Sequence, residues 1–573
     1  MRALTRQTSL RGRHVIAAAA VVCFFLFFIL RHSEPKGQLT AEAISLERYM
    51  NSGPSRYHVS PVKSTVDWGS IEYRYPPERP LTPLPKPGGK LLPKIQHQFG
   101  PEPSLRRVER EKRRDAVRNL TIHCWRAYRR YAWKRDALLP ISGGGRDQFS
   151  GWAATLVDSL DTLWIMGLRD EFDEAVAAVA EIDFGRVSSS EHINIFETNI
   201  RYLGGLLAAY GLSKRGILLS KAIELGDLIY GGFNTPNRMP VDNIHFDSAR
   251  SGVGLTVEGQ VVSASPGTLS LELTHLSQLT GDPKYYSAIS RVTELFYQGQ
   301  NHTALPGLFP MYVSMASQDV TSGLTFTLGG CADSLYEYFP KMHTLISGAG
   351  DRYESLTVGF IEAAKKHLFF QPMIPDEHSV NILISGNVDV DSEGVPHLDP
   401  ESEHLTCFIG ATLALAGKVL NREEDVEIGA RLARGCAYAY RAFPTGIMPE
   451  RYNMVVCDDD ANDRRCRWDE EKWIKETKKR REYKSYLPKG FTTAKDPRYI
   501  LRPEAIESVF YLWRITGKDE WQESAWQMFT AVVNATTAEF GSASVKDVTV
   551  TKPVVENEDY MEVSSALSIA PLL

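Results

Sequence analysis

Three carboxylates, Glu197, Asp333 and Glu504, each open an apolar stretch with helical spacing after a short turn-like run. Cutting a glycosidic bond takes an acid that protonates the leaving oxygen and a base that activates water across the sugar. Acidic residues from separate helices that meet in one place are therefore the material such chemistry needs. Glu504 has the strongest local case. It lies in Leu501-Arg502-Pro503-Glu504-Ala505-Ile506-Glu507-Ser508, followed by Val509-Phe510-Tyr511-Leu512-Trp513. Pro503 suits a first helical position and Gly517 a stop. Glu504 and Glu507 are three apart, so both project from one face near the helix N-terminus, where the dipole favours the ionised form. Glu197 follows Asn194-Ile195-Phe196, and Asp333 follows Gly329-Gly330-Cys331-Ala332. Each also has an ordinary role open to it. Asn194 and Glu197 have capping-box spacing, Glu197 and Arg201 suit an i,i+4 pair, and Asp333 suits an N-cap for Ser334 to Tyr338. What favours chemistry is their company: Arg201, Arg502 and His404 bring the charged and polar groups that bind sugar hydroxyls.

The elements that must carry these residues read as helical hairpins. Residues 199–211, 268–282 and the run after Pro503 are apolar-striped segments closed by a turn signal, and a second helical run follows each. Similar hairpins begin at Asp158 and near Leu405. Strand-like runs are short, as at 380–384 and 548–550. The pattern predicts one all-α domain of paired helices with minor β inserts, either a closed toroid or an open solenoid. In a ring of hairpins the starts of the first helices converge at one end, and the three acids would line a funnel there.

The 573 residues are 43% hydrophobic and 24% charged, which suits a large core. A net charge of −5 gives no footprint for nucleic acid. Arg2, Arg6, Arg11 and Arg13 precede an apolar run over residues 15–30, roughly 24 Å as a helix, and Arg31 closes it. This predicts a cytosolic tail at 1–14 and a single-pass signal anchor at 15–30, with the rest on the luminal side; a cleaved signal peptide is the rival. A proline-rich stretch over 31–103 reads as an extended stem, and 104–573 as the folded domain. Sequons at Asn119, Asn301 and Asn534 suit a secretory route. Six cysteines then fall in an oxidising compartment, where Cys457 and Cys466 enclose a short loop.

Five stretches carry a resemblance. They are Thr155 to Leu168 (TLVDSLDTLWIMGL), Phe196 to Leu207 (FETNIRYLGGLL), Ala332 to Tyr338 (ADSLYEY), His404 to Phe408 (HLTCF) and Leu501 to Ser508 (LRPEAIES). In that order they resemble the class I α-1,2-mannosidases, glycoside hydrolase family 47. The resemblance implies an (αα)7 barrel and calcium-dependent, inverting removal of α-1,2-linked mannose from high-mannose N-glycans in the endoplasmic reticulum or Golgi. It implies that Glu504 is the base and that Glu197 or Asp333 is the acid. It also implies that Arg201, His404, Arg502, Pro503 and Glu507 line the terminal mannose subsite, and that Cys407 and Cys436 form a disulfide. Two departures stand out. Cys331 occupies a position where endoplasmic-reticulum members carry Arg, which points to a Golgi-like or broader branch preference. After Glu562 the chain reads Val563 to Leu573 in place of a final apolar helix and the threonine that ligates calcium directly. No metal ligand is therefore assigned, and a barrel incompletely closed at the C-terminus is expected. The alternative function that follows is a catalytically inactive luminal protein that binds mannose glycans.

Overall fold

Apolar stripes broken by short turns fold into hairpins whose turns are set by left-handed residues. Helices α4 (Gly204–Ser213) and α5 (Gly216–Gly231) are joined through Lys214 at φ 57°. Helices α6 (Ser270–Thr280) and α7 (Lys284–Gly299) turn at Gly281, φ 75°, and α12 (Glu504–Thr516) stops at Gly517, φ 69°, before α13 (Asp519–Thr536). A left-handed residue after the last turn satisfies the orphan carbonyls there, so these stops are sharp. The remaining pairs are α2 (Leu160–Ile165) with α3 (Arg169–Val179), α8 (Asp333–Leu345) with α9 (Arg352–His367), and α10 (Ile409–Val419) with α11 (Glu423–Ala442). This computed structural model describes residues 55–556 apart from 78, 87–90, 189–191, 376–380, 458–465, 481 and 483. The expected anchor at 15–30 and the altered tail after Glu562 lie outside the described residues. Among the described residues no helix is long and apolar enough to cross a membrane.

The first helix of each hairpin packs against the first helices of its neighbours, in the order α2, α4, α6, α8, α10, α12, while the second packs outside its own partner. That is a ring with an inner and an outer layer. Helix α10 shows the pressure on the inner layer, since every residue of Ile409–Val419 except Lys418 is buried, as expected of a helix enclosed on all sides. Helix α1 (Ser104–Tyr131) joins the two ends of the ring. Arg113 pairs with Glu523 at 2.9 Å on α13, and Arg129 pairs with Glu174 at 2.6 Å on α3. Among the described residues this makes thirteen of the fourteen helices of an (αα)7 barrel.

The β inserts are short. One ribbon joins Glu401–Glu403, Arg451–Met454 and Phe491–Asp496, with Glu403 opposite Arg451, and delivers His404 directly after its first strand. Two expected strands differ. Of 381–384 only Ile384 enters a strand, paired with Phe370, and Val380 lies outside the described residues. Residues 548–550 are a turn, because the Asp547 carboxylate accepts from the N–H of Thr549 at 2.8 Å and offers the backbone a local partner instead of a ladder.

The segment expected to be a free stem is extended, yet from Tyr57 onwards it belongs to the same unit as the helices. It runs round the ring as a belt. The Val62 N–H reaches Ala180 O at 2.9 Å, Ser64 Oγ reaches Glu224 at 2.6 Å, and buried Trp68 donates to Phe184 O at 3.1 Å. Farther on, Arg74 N–H bonds Gly252 O at 3.1 Å, Thr82 N–H bonds Ser287 at 3.1 Å, and His97 N–H bonds Arg514 O at 2.7 Å. At Gly252 (φ 73°) a Cβ would stand 2.2 Å from Glu72 O, so the body leaves out a side chain where the belt crosses. The described residues of 57–103 hold no α-helix, as their prolines require, but prolines exclude helix, not packing. A chain that begins at residue 104 is therefore expected to show a sharply lower soluble yield and melting temperature than one that begins at residue 55. Trp68→Ala is expected to cost about 3–5 kcal/mol in denaturant unfolding.

Candidate active site

Asp333 is the first residue of α8, and the chain reaches it through a strained turn with Cys331 at φ 81°. The Gly330 N–H donates to Glu403 at 3.1 Å, and a Cβ on Gly329 would lie 2.7 Å from the Glu403 carboxyl carbon. The glycine pair thus lets a second carboxylate sit against the backbone beside Asp333. Burial pushes the Asp333 carboxyl up to about 7; the Ser334 N–H at 2.9 Å opposes this, and Glu337, Glu504 and Glu403 add to it by repulsion. Glu403 is raised too, by burial first.

Glu504 opens α12 in the same manner, after Leu501 at φ 62°. Pro503 caps the helix and is not its first residue; its carbonyl accepts from the Glu507 N–H at 2.9 Å, so the expected start is displaced by one residue. The Glu504 carboxylate meets His404 Nδ1 at 3.1 Å and Arg502 Nη1 at 3.9 Å. His404 is fully buried, its Nε2 is 2.7 Å from the Tyr440 hydroxyl, and its backbone N–H holds Glu450 O at 2.9 Å. Arg502 Nε donates to Glu450 at 2.6 Å. Burial lowers the affinity of Arg502 for its proton, but Glu450 and Glu504 outweigh it and the group is raised. The turn after His404 is fastened twice. Cys407 is bonded to Cys436 on α11, across 29 residues, and the Ser508 hydroxyl on α12 donates to Cys407 O while accepting from the Ala411 N–H at 2.8 Å.

Below this pair two helix faces oppose each other. Asp333, Glu337 and Lys341 recur at i, i+4 and i+8 on α8, and Glu504, Glu507 and Tyr511 at i, i+3 and i+7 on α12. Lys341 Nζ lies 2.5 Å from Glu337 and 3.9 Å from Glu507. Glu507 sits deep but keeps 31% of its side chain open. Burial raises it most, Glu337 adds to that, and Lys341 opposes.

Glu197 stands on another wall. The Asn194 side chain accepts from the Glu197 N–H at 2.9 Å, and a π-helical run, Thr198–Leu203, follows at once. Such runs cluster at functional sites. The Glu197 carboxylate accepts from Arg201 Nε at 2.7 Å, so both of its ordinary roles are realised. Its bond runs to Arg201, not to Asp333 or Glu504. The two walls are joined through Glu272 on α6, which accepts from Asn199 at 2.7 Å and from Tyr338 of α8 at 2.7 Å. The structure therefore gathers Asp333, Glu504, Glu507, His404 and Arg502 in one cluster, and places Glu197 with Arg201 two first-helices back along the ring.

Sequence reasoning passed over Glu337, Lys341, Glu403, Glu450 and Glu272. A signal existed for the first two, which continue the Asp333 face at helical spacing, and for Glu403, which adjoins His404. Glu450 and Glu272 carry no local pattern.

The site can donate a proton from a buried carboxyl and accept one at a carboxylate held by His404 and Arg502. Residues 120–565 match the glycosyl hydrolase family 47 model. A mannosyl-oligosaccharide α-1,2-mannosidase of Penicillium citrinum is 32% identical over 494 residues, covering 83% of this chain and 88% of its own length. A probable mannosyl-oligosaccharide α-1,2-mannosidase 1B of Aspergillus niger is 32% identical over 453 residues, covering 76% and 81%. Among solved structures, α-1,2-mannosidase from Trichoderma reesei superposes with a TM-score of 0.69 at 28% identity, covering 80% of this chain and 93% of that one. With the family model spanning most of the chain and its motifs brought to one end of the ring, the protein belongs to glycosyl hydrolase family 47.

Proposed function

We propose that the protein hydrolyses terminal α-1,2-linked mannose of high-mannose N-glycans with inversion; the linkage and the oligosaccharide class are supported by relatives named mannosyl-oligosaccharide α-1,2-mannosidases. The observation that carries the reading is the placing of Asp333, whose carboxyl burial pushes up to about 7, within electrostatic reach of Glu504, which His404 and Arg502 hold. Glu504 takes the proton of a water attacking the anomeric carbon. For the acid, Asp333 is favoured over Glu197: a carboxyl kept neutral by burial can give its proton to the leaving oxygen, whereas Glu197 is engaged by the Arg201 guanidinium. Arg201, Arg502 and Glu507 bind hydroxyls of the terminal mannose, with Pro503 setting the helix start that aims two of them. Cys331, with no charge to offer a neighbouring branch, suits a broad branch preference.

The resemblance implies calcium, which takes roughly six to eight oxygen ligands. The described residues do not fit that shell. Among the described residues no group of three or more His, Cys, Asp or Glu is disposed to hold a metal, and Lys341 already stands between Glu337 and Glu507. No step is derived through the ion. The disulfides Cys407–Cys436 and Cys457–Cys466 suit the oxidising lumen. There the protein would work behind an anchor at 15–30, in the endoplasmic reticulum or Golgi. The second reading is a luminal binder of mannose glycans without activity.

Release of mannose from α-1,2-mannobiose, followed by proton NMR, is expected to give the β anomer first. Binding without release would establish the second reading, and neither would refute both. Glu504→Gln is expected to lower kcat by roughly 10²–10⁴. Asp333→Asn should lose activity on mannobiose yet recover most of it on α-mannosyl fluoride, whose leaving group needs no proton. Recovery by Glu197→Gln instead would reverse the assignment. The folded state holds the Asp333 proton up to about 7 and the unfolded chain releases it near 3.8, so stability falls as pH rises between those values. Asp333→Asn should accordingly raise the melting temperature more at pH 8 than at pH 4.

A further inference from the structure

Asp136 is fully buried in the loop after α1 and takes no part in the chemistry above. A buried carboxylate is tolerated only where hydrogen bonds replace water, and this one collects them almost entirely from a single segment, residues 148–154. Its Oδ2 accepts from the backbone N–H groups of Gln148, Phe149 and Gly151 at 3.1, 2.7 and 2.8 Å. Its Oδ1 accepts from the Ala154 N–H at 3.0 Å and lies 3.2 Å from the Tyr202 hydroxyl oxygen. Within that segment Ala153 sits at φ 60°, a left-handed conformation that a non-glycine residue keeps only when its surroundings enforce it.

What this segment presents is two of the groups around Arg201. The Phe149 ring faces the guanidinium, 4.6 Å from centroid to Cζ. The short helix Ala154–Asp158, whose first N–H is held by Asp136, ends at Asp158, with Oδ2 4.0 Å from Arg201 Nη1. The helix that carries Arg201 grips the segment in return, for the Tyr202 hydroxyl donates to Phe149 O at 2.5 Å. Phe149 is thus held at its N–H by Asp136, at its C=O by Tyr202, and at its ring by Arg201.

We propose that Asp136 is a positioning residue for the mannose subsite: by ordering residues 148–154 it holds Phe149 and Asp158 against Arg201 and fixes the guanidinium that binds the sugar. The sugar-binding half of this rests on the reading of Arg201 given above. Stacking and ion pairing hold Arg201 from two sides while Glu197 takes its Nε, so the guanidinium is fixed by three groups at once.

The test uses the full chain and two readouts. The first is solvent exchange of the Arg201 Nε–H, followed by NMR on arginine-labelled protein; the second is KM and kcat on α-1,2-mannobiose, or its Kd if the protein binds without cutting. Phe149→Ala should speed the exchange and raise KM or Kd by roughly 3- to 30-fold, the range of a partly desolvated cation–π contact, with kcat moving far less. Asp136→Asn should do the same, and the double variant should be no worse than the more affected single one, because Asp136 acts through Phe149. If Asp136→Asn does not fold, Tyr202→Phe removes the opposite grip and should also speed the exchange. A folded Phe149→Ala with unchanged Arg201 exchange overturns the proposal whatever happens to the sugar, as does multiplication of the two single effects. Should the native chain ignore mannobiose altogether, the mannosidase reading falls by itself, and the exchange rates still decide the positioning.

Discussion

Like charge held close together in a half-dry bore is the constraint from which the other features of this site follow. Asp333, Glu504, Glu507, Glu337 and Glu403 crowd one bore, and Lys341, Arg502, Arg451 and, when protonated, His404 answer them. Two helix N-termini help, yet a helix terminus offers a carboxylate about 2 kcal/mol at best. The move of Asp333 from 3.8 to about 7 corresponds to a preference for the proton on the order of 4 kcal/mol. Burial and repulsion therefore win over the dipole, and a residue whose position in sequence argues for an anion is kept as an acid. The division of labour between acid and base comes from this difference in surroundings. Glu504 has cationic and imidazole neighbours, and Asp333 has carboxylates.

The backbone contributes in the same places. Cys331 before Asp333, Leu501 before Glu504 and Ala153 before Asp158 all adopt left-handed φ without being glycine. Each costs on the order of 1–3 kcal/mol, so each needs a neighbour that enforces it. For Leu501, burial of its side chain and the bond from Tyr499 Oη to Arg502 O at 3.3 Å do so. For Cys331, its carbonyl holds the Ala264 N–H at 2.9 Å. Each stands within three residues of a helix start: those that begin with Asp333 and Glu504, and the short one that ends in Asp158.

How much of this was legible in the sequence depended on whether the cause was local. The hairpins, the stop at Gly517 and the pairing of Glu197 with Arg201 are set by residues within a turn of one another, and the pattern reads directly. Glu450 was invisible because its role comes from Arg502, 52 residues away, and Glu272 because it meets Asn199 and Tyr338 across two other hairpins. The belt misled for the opposite reason. Proline-rich composition reports conformation truthfully, but says nothing of whether Trp68 has a pocket to enter. Residues 548–550 show the same limit at small scale, where three strand-forming residues yield to one aspartate that caps their turn.

The belt and α1 also explain how separate hairpins can hold a geometry as exacting as an acid and a base across one sugar ring. In the ring, each hairpin packs chiefly on the next, so small errors in packing would accumulate from α2 to α12. Long-range fastening removes that freedom. Helix α1 is tied to α13 through Arg106 and Arg113 and to the first hairpin through Arg118, whose Nε donates to Met166 O at 3.0 Å, and Arg129. The belt meanwhile touches the ring from Ala180 to Gly517. The exposed ion pairs among these contacts are individually worth little. Their effect is geometric: they connect the first hairpin to the last through a segment that is part of neither, so the span between the Glu197 wall and the Glu504 wall is set twice, once through the hairpins and once around them.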